Sequence, residues 1–217
     1  MPPMVHVGDA NLKLIHAYIL EASKGVKEVK VKGTDPFYAS PSMRKRPLVI
    51  RTFMPEAGPA AIAVAANDTL HYCWDAGECR LRYIWKGDFI DGYPVWRGNG
   101  NGLAKIQGDI LLRETRTPLP YEGGKAKFLG YKLEKGLPTF RYRLGNAEIK
   151  EQIRPTKDGN ALERSFTVVA STAPQELTFT PSEHVSYSSK DGSWDGNVLK
   201  INTNRTGRFT VTITPKN

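Results

Sequence analysis

The chain has 217 residues, two of them cysteines, with 40% hydrophobic, 10% aromatic and 24% charged side chains and a formal net charge of +9. That composition excludes a disordered chain and suits one domain of ordinary to large size, or one domain with an appendage. No apolar run approaches the ~20 residues that span a membrane, and the opening stretch has no charged segment followed by an apolar one of the secretory kind.

The charge is spread, with knots at Lys24, Lys27, Lys30 and Lys32 and at Arg44, Lys45 and Arg46. A basic surface suits nucleic acid, acidic polysaccharide, anionic lipid or an acidic protein. No nucleic-acid motif accompanies it, so nucleic acid is not the expected partner.

The first predicted element is a helix over 9–24. Leu12, Ile15, Ile19 and Ala22 repeat at steps of three and four, with Leu14 and Tyr18 beside them. Asp9 is placed to cap its start, and Gly25 to end it. An amphipathic helix of this kind needs something to pack on.

Met1-Pro2-Pro3, Gly8-Asp9 and Tyr18-Ile19-Leu20 come in an order that resembles the C-terminal end of small class I cytochromes c. Such domains close with a Met-Pro-Pro loop carrying the axial methionine, a short turn and a final helix. The resemblance implies Met1 as haem axial ligand, with Met4 as the other candidate, and haem c as cofactor of a larger protein. Only residues 1–24 are covered, and Cys-x-x-Cys-His occurs nowhere, so no haem is bound by this chain alone. The expectation is a chain that starts inside a haem domain. The competing reading is an ordinary helix docked on a β domain.

Residues 25–47 read as a linker. Lysines alternate with valines at 26–32, where a short edge strand is expected, and Asp35-Pro36, Pro41 and Pro47 stiffen the remainder of the linker. Phe37 and Tyr38 are expected to pin the linker to one domain.

From Leu48 onward the pattern is that of strands. Predicted strands cover 48–54, 60–66, 70–75 and 80–86, with a Pro55–Pro59 turn between the first two. In the fourth, Leu81, Tyr83 and Trp85 share one face and Arg80, Arg82 and Lys86 the other. Cys73 and Cys79 flank a turn-forming stretch, and a small-loop disulfide between them is the expectation in an oxidising compartment. Two reduced core thiols, or a metal site using His71, Cys73 and Cys79, are the alternatives.

Asp75, Glu78, Asp88 and Asp91 are interleaved with Trp74, Trp85, Tyr93 and Trp96. Aromatic faces stack on sugar rings and carboxylates accept sugar hydroxyls. Trp74, Asp75, Trp85, Asp88, Asp91 and Trp96 are therefore the candidate carbohydrate-binding residues, against the plainer reading that the rings are core and the acids lie in solvated turns. A carboxyl pair also does acid–base work where the two environments differ. The glycine-rich run 97–102 lacks the ending of a phosphate loop and reads as a flexible loop.

Nine further strands are predicted at 104–113, 126–133, 139–144, 147–155, 162–170, 176–181, 184–189, 198–203 and 208–214. Hairpin turns fall at Gly145-Asn146, Asp158-Gly159 and Asp191-Gly192. About a dozen strands suit a mainly β protein, a large antiparallel two-sheet sandwich preceded by one helix. His184 beside Glu183 is read as structural or exposed, because adjacent strand residues point to opposite faces.

The run 128–155, FLGYKLEKGLPTFRYRLGNAEIKEQIRP, resembles β-sandwich domains of the galactose-mutarotase type. RTFMPEAGPAAIAV and CRLRYIWKGDFID resemble a β domain that accompanies c-type cytochromes and sugar-dehydrogenase-like propellers in bacterial exported proteins. This implies a periplasmic or exported β module at 48–217 that assists electron transfer by docking or substrate holding. Its partner would be a cytochrome or dehydrogenase domain of the same protein. A haem-free carbohydrate-binding or mutarotase-like sandwich is the alternative. No nucleophile–base constellation is legible.

Overall fold

The structure, a computed structural model, describes residues 8–25, 45–93, 96, 102–120, 126–169, 175–202 and 207–216. The chain divides into two units, Met1–Pro36 and Phe37–Asn217. Met1, Met4, the expected edge strand at 26–32, Phe37 and Tyr38, and the glycine run at 97–101 lie outside the described residues.

In the first unit one helix, α1, runs from Asp9 to Ala22. Its N-cap is Gly8, with no side-chain hydrogen bond, and Asp9 sits in the first turn instead of capping it. A carboxylate in the first turn still complements the helix dipole. None of the helix residues is buried, and Leu12, Leu14, Ile15, Tyr18, Ile19 and Leu20 are all exposed.

The second unit is a β-sandwich. Strands β1 (Leu48–Arg51), β2 (Ala61–Ala65), β3 (Leu70–Asp75), β4 (Arg80–Asp91) and β5 (Lys105–Arg113) form a five-stranded antiparallel meander. The opposing sheet uses β6 (Lys127–Glu134), β7 (Leu137–Leu144), β8 (Ala147–Pro155) and β9 (Leu162–Val169) as a second meander, then β14 (Arg208–Pro215) and β11 (Val185–Ser188). Its order is β11-β14-β9-β8-β7-β6. Between β9 and β14 the chain also builds a small sheet, β10-β13-β12, from β10 (Glu176–Thr178), β12 (Gly192–Asp195) and β13 (Val198–Ile201).

Alternation sets the main core. Phe140, Tyr142, Ile149, Ile153, Phe166, Phe209, Val211 and Ile213 point inward from the six-stranded sheet and meet Ile62, Val64, Tyr72, Trp74, Leu81 and Leu112. Trp74 stacks on Phe140 at 4.2 Å between ring centres, which joins the two sheets face to face. Leu177, Leu199 and Ile201 of the small sheet belong to the same core.

The outer face of the five-stranded sheet is buried as well. Ala61, Ala63, Ala65, Cys73, Tyr83, Trp85, Phe89 and Ile90 form a second apolar cluster with Met54, Ala57 and Ala104. The expected grouping of Leu81, Tyr83 and Trp85 on one face fails here. Cys73 pairs with Tyr83 and Trp74 with Leu81, so Arg82 is an extra residue with no partner across the ladder. This β-bulge reverses the alternation. Leu81 and Ile84 face the main core, while Tyr83 and Trp85 face the second cluster.

Two other local details depart from the sequence reading. Asp191-Gly192 is not a hairpin turn, because Gly192 opens β12 and the reversal comes at Gly196-Asn197. Strand β4 continues past Lys86 because Gly87, at φ 135°, passes close against Gly108 of β5. A Cβ on Gly87 would lie 2.8 Å from the Gly108 Cα, so no larger residue fits that crossing.

Candidate functional site

The residues expected to bind sugar do not converge. Trp74 is fully buried between the sheets, and Trp85 is fully buried on the opposite face of the same sheet. Trp85 is held there by its indole N–H, which donates to the carbonyls of Asp88 and Phe89 at 3.0 Å each, and by stacking on Phe89. Neither ring offers a face to a ligand.

The acids are engaged locally. Asp75 is 3% exposed and accepts the backbone N–H groups of Gly77 and Glu78 at 2.8 and 3.2 Å, while Arg82 approaches its other oxygen at 3.2 Å. Glu78 pairs with Arg80 at 2.7 Å and Arg82 at 3.1 Å. The Asp88 and Asp91 carboxylates accept the N–H groups of Phe89 and Tyr93. Trp96 is half-buried beside Gly92.

The expected disulfide is absent: Cys73 and Cys79 are both free and buried. The reason is topological. Cys73 belongs to the outer cluster and Cys79 to the inter-sheet core, so the sheet itself lies between the two thiols. Burial pushes both thiols up to about 12, which makes them inert. The same separation removes Cys79 from His71, whose ring packs on Trp85 and Phe89 of the outer cluster. Among the described residues no group of three or more His, Cys, Asp or Glu is placed to hold a metal ion.

His71 itself is neutral. Burial is the main cause and holds its ring down at about 4, against a hydrogen bond to the Gly87 carbonyl at 3.0 Å. That bond assigns the proton to Nε2, leaving Nδ1 buried with no hydrogen-bond partner. His184 and Glu183 are exposed. The His184 backbone carbonyl accepts from Lys216.

The strongest charged constellation is one that no sequence motif announces. Arg164 of β9, fully buried, donates from Nε to Glu151 of β8 at 2.7 Å and from Nη1 to Glu114, just after β5, at 2.5 Å. Tyr142 donates its hydroxyl to Glu151 at 2.7 Å, and Arg80 donates to the Glu114 backbone carbonyl. The guanidinium also lies over the Phe166 ring at 4.8 Å. One cation thus serves two buried carboxylates. Burial first, and Glu151 with it, raise Glu114 to about 7 against the pull of Arg164. Burial alone would lower Arg164, but the two glutamates outweigh it and hold the guanidinium charged.

A carboxyl poised near neutrality beside a second carboxyl is a starting point for acid–base chemistry. Here Glu114 and Glu151 are 3% and 0% exposed, so the pair bridges the sheets and faces no cleft among the described residues. Nothing in the sequence distinguishes Glu151 or Arg164 from surface charges except their position. Both occupy inward places in the alternation of Ile149, Glu151, Ile153 and of Leu162, Arg164, Phe166. That in-phase placement is the signal a sequence reading could have used.

No family model, curated protein or solved structure matches the chain. Its function therefore rests on its own residues.

Proposed function

We propose that this chain is part of an exported redox protein that contains a c-type cytochrome, with the β-sandwich as its docking or substrate-holding module. Residues 1–24 would close the haem domain, with Met1 as axial ligand. The observation that carries the reading is α1. It belongs to the segment that resembles a cytochrome tail, and it presents six large apolar side chains of which none is buried. A helix of that composition needs a partner surface.

The chain's own residues do not attach a haem. Its two cysteines lie in no Cys-x-x-Cys-His and both are buried in the β unit. The haem would be held by residues outside this chain, which contributes the methionine and the helix. The β unit supports an accessory role because its aromatic and acidic groups are committed to packing and ion pairs. A sugar site built on Trp74 and Trp85 has no support, since the rings sit back to back across a sheet.

The test is the intact mass and visible spectrum of the protein purified from its native source. The expected result is a species heavier than 24.1 kDa with a Soret band and a sharp reduced α-band. A colourless protein of 24.1 kDa overturns the proposal.

A further inference from the structure

We propose that the outer face of the six-stranded sheet binds a linear acidic polysaccharide. The inference does not depend on the haem reading, because it uses only the β unit. Residues that alternate with the core of this sheet form registered rows on its far side. One row is Arg141, Lys150, Thr167 and Arg208, on β7, β8, β9 and β14. With strands ~4.8 Å apart, it crosses roughly 14 Å. The adjoining row carries Lys127, Arg143 and Glu148. Lys127, Arg143, Lys150 and Arg208 are exposed.

The positive field is visible in its effect on the acid within it. Glu148 accepts from Arg141 at 2.9 Å, and its carboxyl is held below the usual range by that bond, with Arg143 and Lys150 adding to the effect. The two rows therefore keep a net positive charge after Glu148 is counted.

On the other side of the basic row the chemistry changes. Thr210 lies two residues beyond Arg208, and Thr212 two beyond that. They line an open groove of about 510 Å³ with Glu163, Ser188, Ser189, Lys190 and Asp191, so its two carboxylates and its hydroxyls suit the hydroxyl groups of a ligand while the basic rows take its anionic groups. A ligand that crosses from one zone to the other must carry both anionic groups and hydroxyls, as uronate and sulfated polysaccharides do. No aromatic side chain belongs to these rows, since Phe140, Tyr142, Phe166 and Phe209 all point into the core. That disfavours single-stranded nucleic acid, which needs stacking platforms. It also disfavours a protein interface, whose buried centre is depleted in charge and enriched in aromatics.

The experiment is calorimetric titration of the chain with polygalacturonate, heparin, neutral dextran, polyglutamate and oligothymidylate at about 50 mM salt. The two acidic polysaccharides tell a carboxylate preference from a sulfate one. The expected result is binding of at least one of them, weakened by salt, with none to dextran. Reversing both charges in R143E/K150E should weaken it about ten-fold or more. K105E, a single reversal on β5 of the other sheet, should alter it less than about two-fold. T212V should weaken the polysaccharide without unfolding the protein, as melting curves check. The proposal is overturned if the folded protein binds neither acidic polysaccharide. It is also overturned if polyglutamate or oligothymidylate binds as tightly, or if K105E matches the double reversal.

Discussion

Replacing Arg164 by methionine removes the guanidinium and keeps most of the stem that fills its place. Two hydrogen bonds disappear, to Glu151 Oε1 at 2.7 Å and to Glu114 Oε1 at 2.5 Å. A hydrogen bond to a charged group contributes about 1.5–3 kcal/mol, so the pair contributes roughly 3–6 kcal/mol. Breaking a buried ion pair from one side costs a similar ~3–5 kcal/mol, because the orphaned charge stays in the interior. The expected loss is therefore about 4 kcal/mol at pH 8, a large share of the roughly 5–15 kcal/mol typical of a domain. The loss depends on pH in a stated direction. In the native protein Glu114, at about 7, already lies above its ordinary 4.5, so its contribution is greatest below 4.5 and declines as pH rises to 7. Without Arg164, Glu114 loses the cation that favours its ionisation, and the folded state holds its proton to still higher pH. Stability of the variant then falls more steeply with rising pH than that of the native chain. Urea titrations of both proteins at pH 5 and pH 8, extrapolated linearly to water, measure this. A loss below about 1 kcal/mol at pH 8, or equal losses at the two pH values, refutes the reasoning.

Three other outcomes are expected. His71, held near 4 by burial, contributes stability that is complete above 6.5 and is lost as pH falls toward 4; its ring resonances should not titrate between pH 7.5 and 5, and a midpoint near 6.5 would contradict its burial. The thiols of Cys73 and Cys79 should resist an aromatic disulfide reagent at pH 8 in the native protein and both react once it unfolds, and reductant should leave the melting temperature unchanged. Trp74→Ala should cost about 3–5 kcal/mol in chemical denaturation, since the ring stacks on Phe140 at the centre of the sandwich. A cost under about 1 kcal/mol would mean that the tryptophan does not hold the sheets together.

The strands are legible in the sequence because their alternation is. Phe209, Val211 and Ile213 against Thr210, Thr212 and Thr214 read as one buried and one open face, and the register of β14 on β9 has that arrangement. Alternation cannot encode the rest. A bulge at Arg82 shifts the phase of β4 by one residue. Cys73 and Cys79 lie on opposite sides of a sheet, where spacing alone suggests a bridge. The start of short β12 reads as a turn because Asp191-Gly192 has turn chemistry, while the actual reversal uses Gly196, at φ 60°, four residues later. The candidate sugar residues fail for a related reason. Tryptophans and acids close in sequence are close in space only when their side chains leave the same face, and Trp74 and Trp85 leave opposite ones. Alternation marks Glu151 and Arg164 as inward, but their meeting with Glu114 joins β8 and β9 to the residue after β5, and no local pattern reports a contact across two sheets.

The placement of β14 has a consequence for how the molecule is made. It pairs with β9 on one side and with β11 on the other, and it is the last of these strands to be synthesised. Until it arrives, β9 is an open edge and β11 has no neighbour in its sheet. The four-stranded meander from β6 to β9 can assemble early from local contacts, whereas closing the sheet must wait for the chain to finish β10 to β13 and return. A nascent chain halted before Arg208 therefore carries an unpaired strand edge beside a half-covered apolar core, the state in which sheet proteins pair with the wrong neighbour.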